Sequence, residues 1–523
     1  MNTKKKTLFG ALAIALTGAL LAGCSATGSS GSDGEAGYAD TIHYPINATT
    51  ASLDPQVSPG GVPAYIGSHI FETLVAQDET LTPQPALAES WTLSDDQLSW
   101  TFSLRQGVRF HNGEEMHADD VAASLNRWKS LTGRAKQLLG ASEFEVVDEY
   151  TVRVTLATPR GDLLAQLANP LQFAAIMPAE VIASATPAGV TEYIGTGPYR
   201  VDAFNVDQNV QLSRFDGYTG VDTEPSGFSG RKEAPTEHIS FDFVLDNSTR
   251  FSSFLSGDFD IVDVSTDNLA TAKAEAGVQV ERRLGNSYAV VFNMKQGIGK
   301  NEAFRQAVAL AINADDYLTA SVSDPELYRL NPSYAWTENT AWWTDAGSKG
   351  RYNVGDAAQA KTKLKEARYA GETVHLLTTQ DYAGTHYRAS VILQSQLEAI
   401  GVKTQLDVLD YPSLLQKRNS FQGWEIYTGA FIVPSTPSQL IYLAASYGGN
   451  DDPELARLVT ATAEAVSAEQ QQAASVALEE YLWEHVPTIN VGDTYTYQAV
   501  RDTVQGFVNF NGYPILWNAK IAK

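Results

Sequence analysis

Apolar residues of this chain follow two spacings, one typical of strands and one typical of helices. Trp100, Phe102 and Leu104 alternate with polar residues, so they share one face of a predicted strand. Helical spacing recurs in three sets of apolar residues: Val121, Leu125 and Trp128; Phe304, Ala307, Val308, Ala311 and Ile312; and Leu393, Leu397 and Ile400. Asn301 is the predicted N-cap of the second of these helices. Because strands and helices alternate through most of the chain, we predict an α/β fold.

The length of the chain indicates more than one domain. A chain of 523 residues exceeds what one hydrophobic core usually organises, so two or three domains are expected. Residues 217–235 are rich in Gly, Pro and Ser and are predicted to form an exposed loop.

The charge balance is acidic. Lys and Arg total 37 against 61 Asp and Glu, which gives a net charge of −24. Such a surface repels phosphate backbones, so the sequence argues against nucleic acid as a partner. The charge could steer cationic solutes towards the protein, but it does not identify a ligand.

The first 24 residues carry the pattern of an export signal. Lysines at positions 4–6 precede an apolar run over residues 8–21, which is too short to span a bilayer comfortably. The run ends in Leu21-Ala22-Gly23-Cys24, and Cys24 is the one cysteine of the sequence. This ending resembles the bacterial lipobox, in which the signal peptide is cut before the cysteine and the thiol receives a diacylglycerol. An ordinary secretory signal with an incidental cysteine is the alternative.

We therefore predict a signal peptide over residues 1–23, lipidation at Cys24 and a flexible tether over residues 24–39. The tether is rich in Gly and Ser, and about fifteen such residues span roughly 20 Å. The protein is expected to be exported and held at the outer face of the cell membrane, or at a periplasmic face, by its lipid. A single cysteine also excludes an intrachain disulfide and a thiolate metal cluster.

Common catalytic motifs are absent from the sequence after the tether. There is no G-x-x-x-x-G-K-[ST] phosphate loop, no H-E-x-x-H and no G-x-S-x-G. His111 and His117 flank Glu114 and Glu115, but this spacing fits no common zinc motif, and a solvated loop is the simpler interpretation. We predict no enzymatic activity, no cofactor and no metal, although carboxylate pairs distant in sequence are invisible to motif analysis.

Several short segments together resemble one known family. They occur in the family's order and are Phe71-Glu72-Thr73-Leu74-Val75, Pro85-Ala86-Leu87-Ala88-Glu89-Ser90-Trp91, Gly107-Val108-Arg109-Phe110-His111-Asn112-Gly113, Ala118-Asp119-Asp120-Val121, Gly195-Thr196-Gly197-Pro198-Tyr199 and Ser256-Gly257-Asp258-Phe259-Asp260. In these segments the chain resembles the extracellular solute-binding proteins of ABC importers, family 5, the dipeptide, oligopeptide and nickel group. The segments themselves are mainly architectural; Asp119 or Asp120, for example, can cap the helix that follows.

The resemblance implies a two-lobed periplasmic-binding-protein-like fold of class II, of the three-domain cluster C type. The first lobe would comprise residues 40–61, 186–285 and 488–523, and an extra domain of residues 62–185 would pack on it. Residues 286–487 would form the second lobe. Two strands would cross between the lobes at a hinge, near residues 286–288 and 487–489. A monomer is expected.

The resemblance also suggests where a ligand would bind. In peptide-binding relatives an acidic residue in a Gly-Trp-x-x-Asp segment meets the α-amine of the peptide. The matching segment here, residues 427–434, has no Trp after Gly429, and no acid lies between Ile426 and Ile441. A buried ammonium without a counter-charge is costly, so amine-anchored short peptides are disfavoured. Either another acid substitutes from elsewhere, or the ligand lacks a free amine. The candidate ligand-binding residues are Asn286, Tyr288, Tyr382, His386, Tyr411, Tyr427 and Phe431; core packing is the alternative for the aromatic ones, and a surface position for His386.

These observations favour a lipid-anchored receptor that captures a solute and delivers it to the permease subunits of an ABC importer. An oligopeptide-like solute is the leading prediction. A metal chelate, a sugar-derived solute or an opine-like solute is the alternative on the same scaffold. A surface hydrolase and a sensory lipoprotein are rival functions.

Overall fold

The computed structural model of the chain describes residues 38–58, 60–171, 173–381 and 385–523. The predicted signal peptide, Cys24 and Tyr382 lie outside these residues. None of the helices within these ranges is both long and apolar enough to cross a membrane.

Strands and helices alternate along the described chain, as the apolar spacings predict. The first half contains β1 (Thr41–Ile46), α1 (Gly61–Ile70), β2 (Val75–Gln77), β3 (Pro83–Pro85), β4 (Ala88–Leu93), β5 (Ser99–Leu104), α2 (Ala118–Leu131), α3 (Gly133–Leu139), β6 (Phe144–Asp148), β7 (Thr151–Thr155), α4 (Leu163–Leu167), α5 (Ala179–Ala183), β8 (Tyr199–Asn205), β9 (Asn209–Arg214), β10 (His238–Phe243), α6 (Asn247–Ser256), β11 (Ile261–Val264), α7 (Leu269–Ala274) and β12 (Val278–Phe292).

The second half is richer in helix. It contains α8 (Glu302–Ala311), α9 (Ala314–Val322), β13 (Tyr328–Arg329), α10 (Ala357–Glu366), β14 (Val374–Thr378), α11 (Thr385–Ala399), β15 (Thr404–Val408), α12 (Tyr411–Ser420), β16 (Ile426–Phe431), α13 (Ala445–Gly448), α14 (Pro453–Glu464), α15 (Ala468–His485), β17 (Thr488–Arg501), β18 (Val504–Gln505), β19 (Val508–Phe510), β20 (Tyr513–Ile515) and β21 (Lys520–Ile521).

The first lobe is built on a sheet of order β1-β10-β9-β8, in which β1 runs parallel to β10. Its core combines residues near both ends of the described chain, such as Ile42 and Trp517, with Phe241 of β10. The predicted loop of residues 217–235 lies between β9 and β10, without helix or strand. It is exposed only in part, because Ser229, Gly230 and Ala234 are buried.

The extra domain packs around a second sheet, of order β4-β5-β7-β6. The predicted alternation in β5 is confirmed, because Trp100, Phe102 and Leu104 are its buried residues. The carboxylate of Asp120 accepts a hydrogen bond from the His117 backbone N–H at 2.9 Å, so it satisfies a donor at the start of α2. The hydrophobic core of this domain runs from Leu74 to Ile176.

The second lobe is organised by the part of the largest sheet in which β12, β16, β14 and β15 lie side by side. The predicted cap of α8 is confirmed, since Asn301 Oδ1 accepts a hydrogen bond from the Phe304 N–H at 3.3 Å. Leu393 and Leu397 on α11 are fully buried against this sheet, as their spacing predicts.

Two long strands, β12 and β17, connect the first lobe with the second. They pair with each other along most of their length, but their register shifts between Leu284 and Ser287. The buried carboxylate of Asp493 lies at this irregularity and accepts hydrogen bonds from Ser287, from Arg329 at 2.8 Å and from Asn331 at 3.0 Å. A hydrogen-bonded polar cluster therefore occupies the place where the strands pass between the lobes. The residue bounds of the three domains stay a prediction.

The extra domain touches the second lobe through a short segment before α4. The Asp162 backbone N–H donates to Ala463 O at 3.0 Å, and the Ser438 hydroxyl donates to the Asp162 carboxylate at 2.9 Å. Gly161 lies so close to the second lobe that a Cβ atom built on it would stand 1.9 Å from Ala465 O. The structure is thus a closed one, with the lobes in direct contact.

Candidate functional site

A cavity of about 280 Å³ lies between the two lobes. Its wall on the side of the first lobe and extra domain is formed by Gln77, Leu81, Arg134, Asn169, Pro170, Leu171, Asn511 and Tyr513. Its wall on the side of the second lobe is formed by Tyr411, Tyr427, residues 430–435, Gln439, Ile441, Tyr442 and Tyr447. A small ligand held here touches both lobes.

Strand β16 positions the second-lobe wall. It lies between β12 and β14 near the centre of the sheet and ends at Phe431, so the following residues, 432–435, leave the sheet and enter the wall. The Ser435 hydroxyl accepts a hydrogen bond from Gln77 Nε2 at 3.2 Å. This bond links the lobes at the edge of the cavity.

Aromatic rings form the floor of the second-lobe wall. The ring centroid of Phe431 lies 4.7 Å from that of Tyr442, 5.7 Å from that of Tyr447 and 6.3 Å from that of Tyr427, each pair in an edge arrangement. Burial raises the pKa of Tyr447 to about 12, and burial also raises the pKa of Tyr427 and of Tyr442. The phenols therefore stay neutral at physiological pH and offer apolar surface with a polar tip.

Among the described residues that line the cavity, Arg134 is the one charged side chain. It lies on α3, is half-buried, and donates from Nη1 to Leu171 O at 3.4 Å. Desolvation lowers the pKa of its guanidinium, because burial there is not offset by a carboxylate. Behind the opposite wall, Arg418 stacks on Tyr447 with its guanidinium carbon 3.7 Å from the ring centroid.

The structure brings three of the predicted site residues to the cavity. Tyr411, Tyr427 and Phe431 line it, although their contact with a ligand stays a prediction.

Three other predicted residues are not on the wall of this cavity. Tyr288 is 3% exposed and packs by its edge against Tyr317 and His386, so it belongs to the second-lobe core. His386 is buried, not at the surface; its Nε2 accepts a hydrogen bond from the Ala430 N–H at 3.3 Å, and burial lowers its pKa to about 4. Asn286 is half-buried, and its carbonyl accepts a hydrogen bond from Thr494 at 3.0 Å.

Sequence reasoning missed several lining residues, above all Arg134, Tyr442, Tyr447 and Tyr513. The tyrosines are aromatic residues among many others, so nothing local distinguishes them. Arg134 carries one weak signal, since no acidic residue stands three or four positions away to pair with it on a helix.

One group of potential metal ligands occurs elsewhere among the described residues. Atoms of His117, Asp119 and Asp120 lie within 4.8 Å of one another at the start of α2. Asp120 is already occupied there, because it accepts hydrogen bonds from the backbone N–H groups of His117 and Ala179. The cluster is explained by helix capping.

Sequence comparison identifies a family and several relatives. The pattern of the bacterial extracellular solute-binding proteins, family 5 Middle, matches residues 82–453. A probable peptide ABC transporter periplasmic-binding protein of Sinorhizobium fredii is 26% identical over 493 residues, which cover 90% of this chain and 91% of the relative. The glutathione-binding protein of Escherichia coli K12 is 24% identical over 418 residues, which cover 77% of this chain and 73% of the relative.

Solved structures with the same fold include two bacterial binding proteins. The binding protein CtaP of Listeria monocytogenes superposes with a TM-score of 0.80 at 19% identity, covering 93% of this chain and 100% of that one. The binding protein AgaA of A. tumefaciens R10, in complex with agropinic acid, gives a TM-score of 0.73 at 24% identity, covering 92% of this chain and 99% of that one.

The predicted α/β class and the predicted family are both confirmed by these matches. With a family pattern that spans most of its length and a cavity between two lobes, the chain belongs to the family 5 bacterial extracellular solute-binding proteins.

Proposed function

We propose that this protein is a lipid-anchored receptor that encloses a peptide-like solute between its lobes and delivers it to the permease of an ABC importer. It performs no chemistry on the solute. The observation that carries the proposal is the cavity whose wall is shared by both lobes. A ligand that contacts both lobes binds the closed state better than the open one, and this difference in affinity is what shifts the equilibrium between them.

The composition of the wall supports a small, peptide-like solute. Side-chain amides of Gln77, Asn169, Gln439 and Asn511 can exchange hydrogen bonds with peptide groups, while the aromatic floor receives apolar side chains. The volume of about 280 Å³ lies just below the range of about 300–1,000 Å³ that is usual for ligand pockets, which favours a small solute. The named relatives that transport peptides or bind glutathione are consistent with this class of solute.

The test is to identify what the protein binds. Protein purified from its native host would be analysed by mass spectrometry for co-purified small molecules, and each molecule found would be added back in a thermal unfolding assay. A solute at a hundred times its Kd stabilises the folded state by about 2.7 kcal/mol. Recovery of peptides that raise the Tm supports the proposal, whereas turnover of a labelled peptide or glycan library by the purified protein would contradict it.

The anchor is tested separately by replacing Cys24 with Ser. We expect the variant to leave the membrane fraction, because the serine hydroxyl cannot receive the lipid through a thioether. Its solute affinity should stay unchanged, since Cys24 lies far before the first residue of the lobes in sequence. Fractionation and titration measure the two properties; a variant that stays in the membrane fraction argues for another form of attachment.

A further inference from the structure

The electrostatic character of the cavity differs from that of the whole protein. The chain carries a net charge of −24, yet among the described residues the cavity wall contains no acidic side chain and one cation, Arg134. Apolar and neutral polar groups supply the rest of the wall. The cavity is therefore a local site at which negative charge is favoured.

Arg134 does not stabilise the helix on which it lies. It is the second residue of α3, and a cation near the start of a helix faces the positive end of the helix dipole. Among the described residues its guanidinium forms no ion pair, and its one hydrogen bond goes to Leu171 O. Four of its five N–H donors form no hydrogen bond to a described residue.

The second lobe supplies no counter-charge from across the cavity. The segment that leaves β16 is apolar and uncharged from Phe431 to Pro434. Arg418, behind Tyr447, is buried and forms no ion pair among the described residues. Both sides of the cavity thus disfavour an ammonium group and favour an anion.

We propose that the cavity selects a carboxylate-bearing solute without a free amine near the aromatic wall, and that Arg134 binds the carboxylate. This specificity rests on the proposed function as a solute receptor. The planar guanidinium can bind a carboxylate through two parallel hydrogen bonds, which gives orientation as well as affinity. The carboxylate can belong to the C-terminus of an amine-blocked peptide or to a conjugate of an amino acid with a sugar acid.

The experiment is a titration of the whole chain with four forms of one dipeptide, Ala-Phe, with a free or acetylated amine and a free or amidated carboxylate. An amino acid–sugar acid conjugate is the fifth compound. We expect the acetylated acid to bind best and amidation to weaken binding by about tenfold to a hundredfold, since a hydrogen-bonded charge is lost. In Arg134→Gln this difference between acid and amide should shrink to about threefold or less, because a neutral amide cannot pair with a carboxylate.

Two further variants make the result specific. Arg134→Lys keeps the charge but not the fork of donors, so part of the preference for the acid should return. Lys136→Gln removes an exposed cation from the same helix and should leave every affinity unchanged.

The outcomes separate this specificity from the receptor function. Equal binding of acid and amide by the wild-type chain overturns the assignment of Arg134 while leaving a peptide receptor intact, and so does a preference that persists in Arg134→Gln. If only the conjugate binds, and Arg134→Gln abolishes this binding, the result supports the anion site and contradicts the proposal that the solute is peptide-like. If none of the five compounds binds, both ideas are overturned.

Discussion

The contact of Gly161 with the second lobe predicts how strongly one methyl group would oppose closure. A Cβ atom at this position would lie 1.9 Å from Ala465 O and 2.5 Å from Ala465 C, both of which are backbone atoms. Since neither atom can rotate away, Gly161→Ala must separate the segment before α4 from the end of α14. The backbone at Gly161 is not left-handed, so alanine itself is conformationally acceptable in the open state.

The size of the effect follows from the two hydrogen bonds that this separation breaks. Asp162 N–H to Ala463 O is a neutral bond, worth about 0.5–1.5 kcal/mol, and Ser438 to the Asp162 carboxylate is charge-assisted, worth about 1.5–3 kcal/mol. Their sum of about 2–4.5 kcal/mol corresponds to a drop of roughly thirtyfold or more in the ratio of closed to open molecules. Apparent affinity falls with the closed fraction, so we expect a solute to bind at least about tenfold more weakly.

The assay measures the distance between the lobes directly. In a Cys24→Ser background, Val206→Cys on the first lobe and Val408→Cys on the second are exposed positions for a pair of fluorescent labels, and no other thiol competes. Gly161→Ala should lower the energy transfer of the solute-free protein and weaken solute binding. Gly60→Ala, whose Cβ would meet its nearest neighbour at 3.7 Å, is the matched control. Unchanged transfer and affinity in Gly161→Ala would refute the argument.

The remaining predictions concern stability. Burial raises the pKa of Glu479 to about 8, so between pH of about 4.5 and 8 the folded state holds a proton that the unfolded state has lost, and stability should fall by up to about 1.4 kcal/mol per pH unit. Glu479→Gln should flatten this decline in Tm measured from pH 5 to 8, and an equally steep decline in the variant would assign it to other groups. Asp54→Asn should cost about 3–5 kcal/mol in urea unfolding, because it leaves the buried guanidinium of Arg127, 2.6 Å away, without its carboxylate partner. The exposed pair Arg214–Asp216 provides the control, since Asp216→Asn should cost less than about 1 kcal/mol, and similar losses in both variants would contradict the dependence on burial.

Local patterns were enough to predict secondary structure but not the cavity. The alternation in β5 and the cap at Asn301 depend on residues within a few positions of each other, so the sequence alone determines them. The cavity wall instead combines segments as distant as Gln77, Arg134 and Tyr513, and only the tertiary fold brings these together. Apart from the missing acidic neighbour on its helix, nothing in the sequence distinguishes Arg134 from a solvated cation.

The tertiary fold also explains why Tyr288 lies in the core of the second lobe whereas Phe431 lines the cavity. Tyr288 stands near the predicted passage between the lobes in sequence, but β12 lies inside the sheet between β17 and β16. The side chain of Tyr288 is covered by the helices packed on the sheet, where it meets Tyr317 of α9 and His386 of α11. Phe431 reaches the cavity because it is the last residue of its strand, where the chain leaves the sheet.

The place of β17 in the largest sheet has a consequence for biosynthesis. This strand lies between β11 and β12, but it is made more than 190 residues after β12 ends. Until residues 488–501 emerge, the facing edges of β11 and β12 lack their partner and present unpaired backbone groups to other chains. The nascent protein therefore cannot pair the two strands that connect its lobes, β12 and β17, until its last segment has been synthesised. A chain that stops before residue 488 should aggregate instead of folding into a smaller receptor.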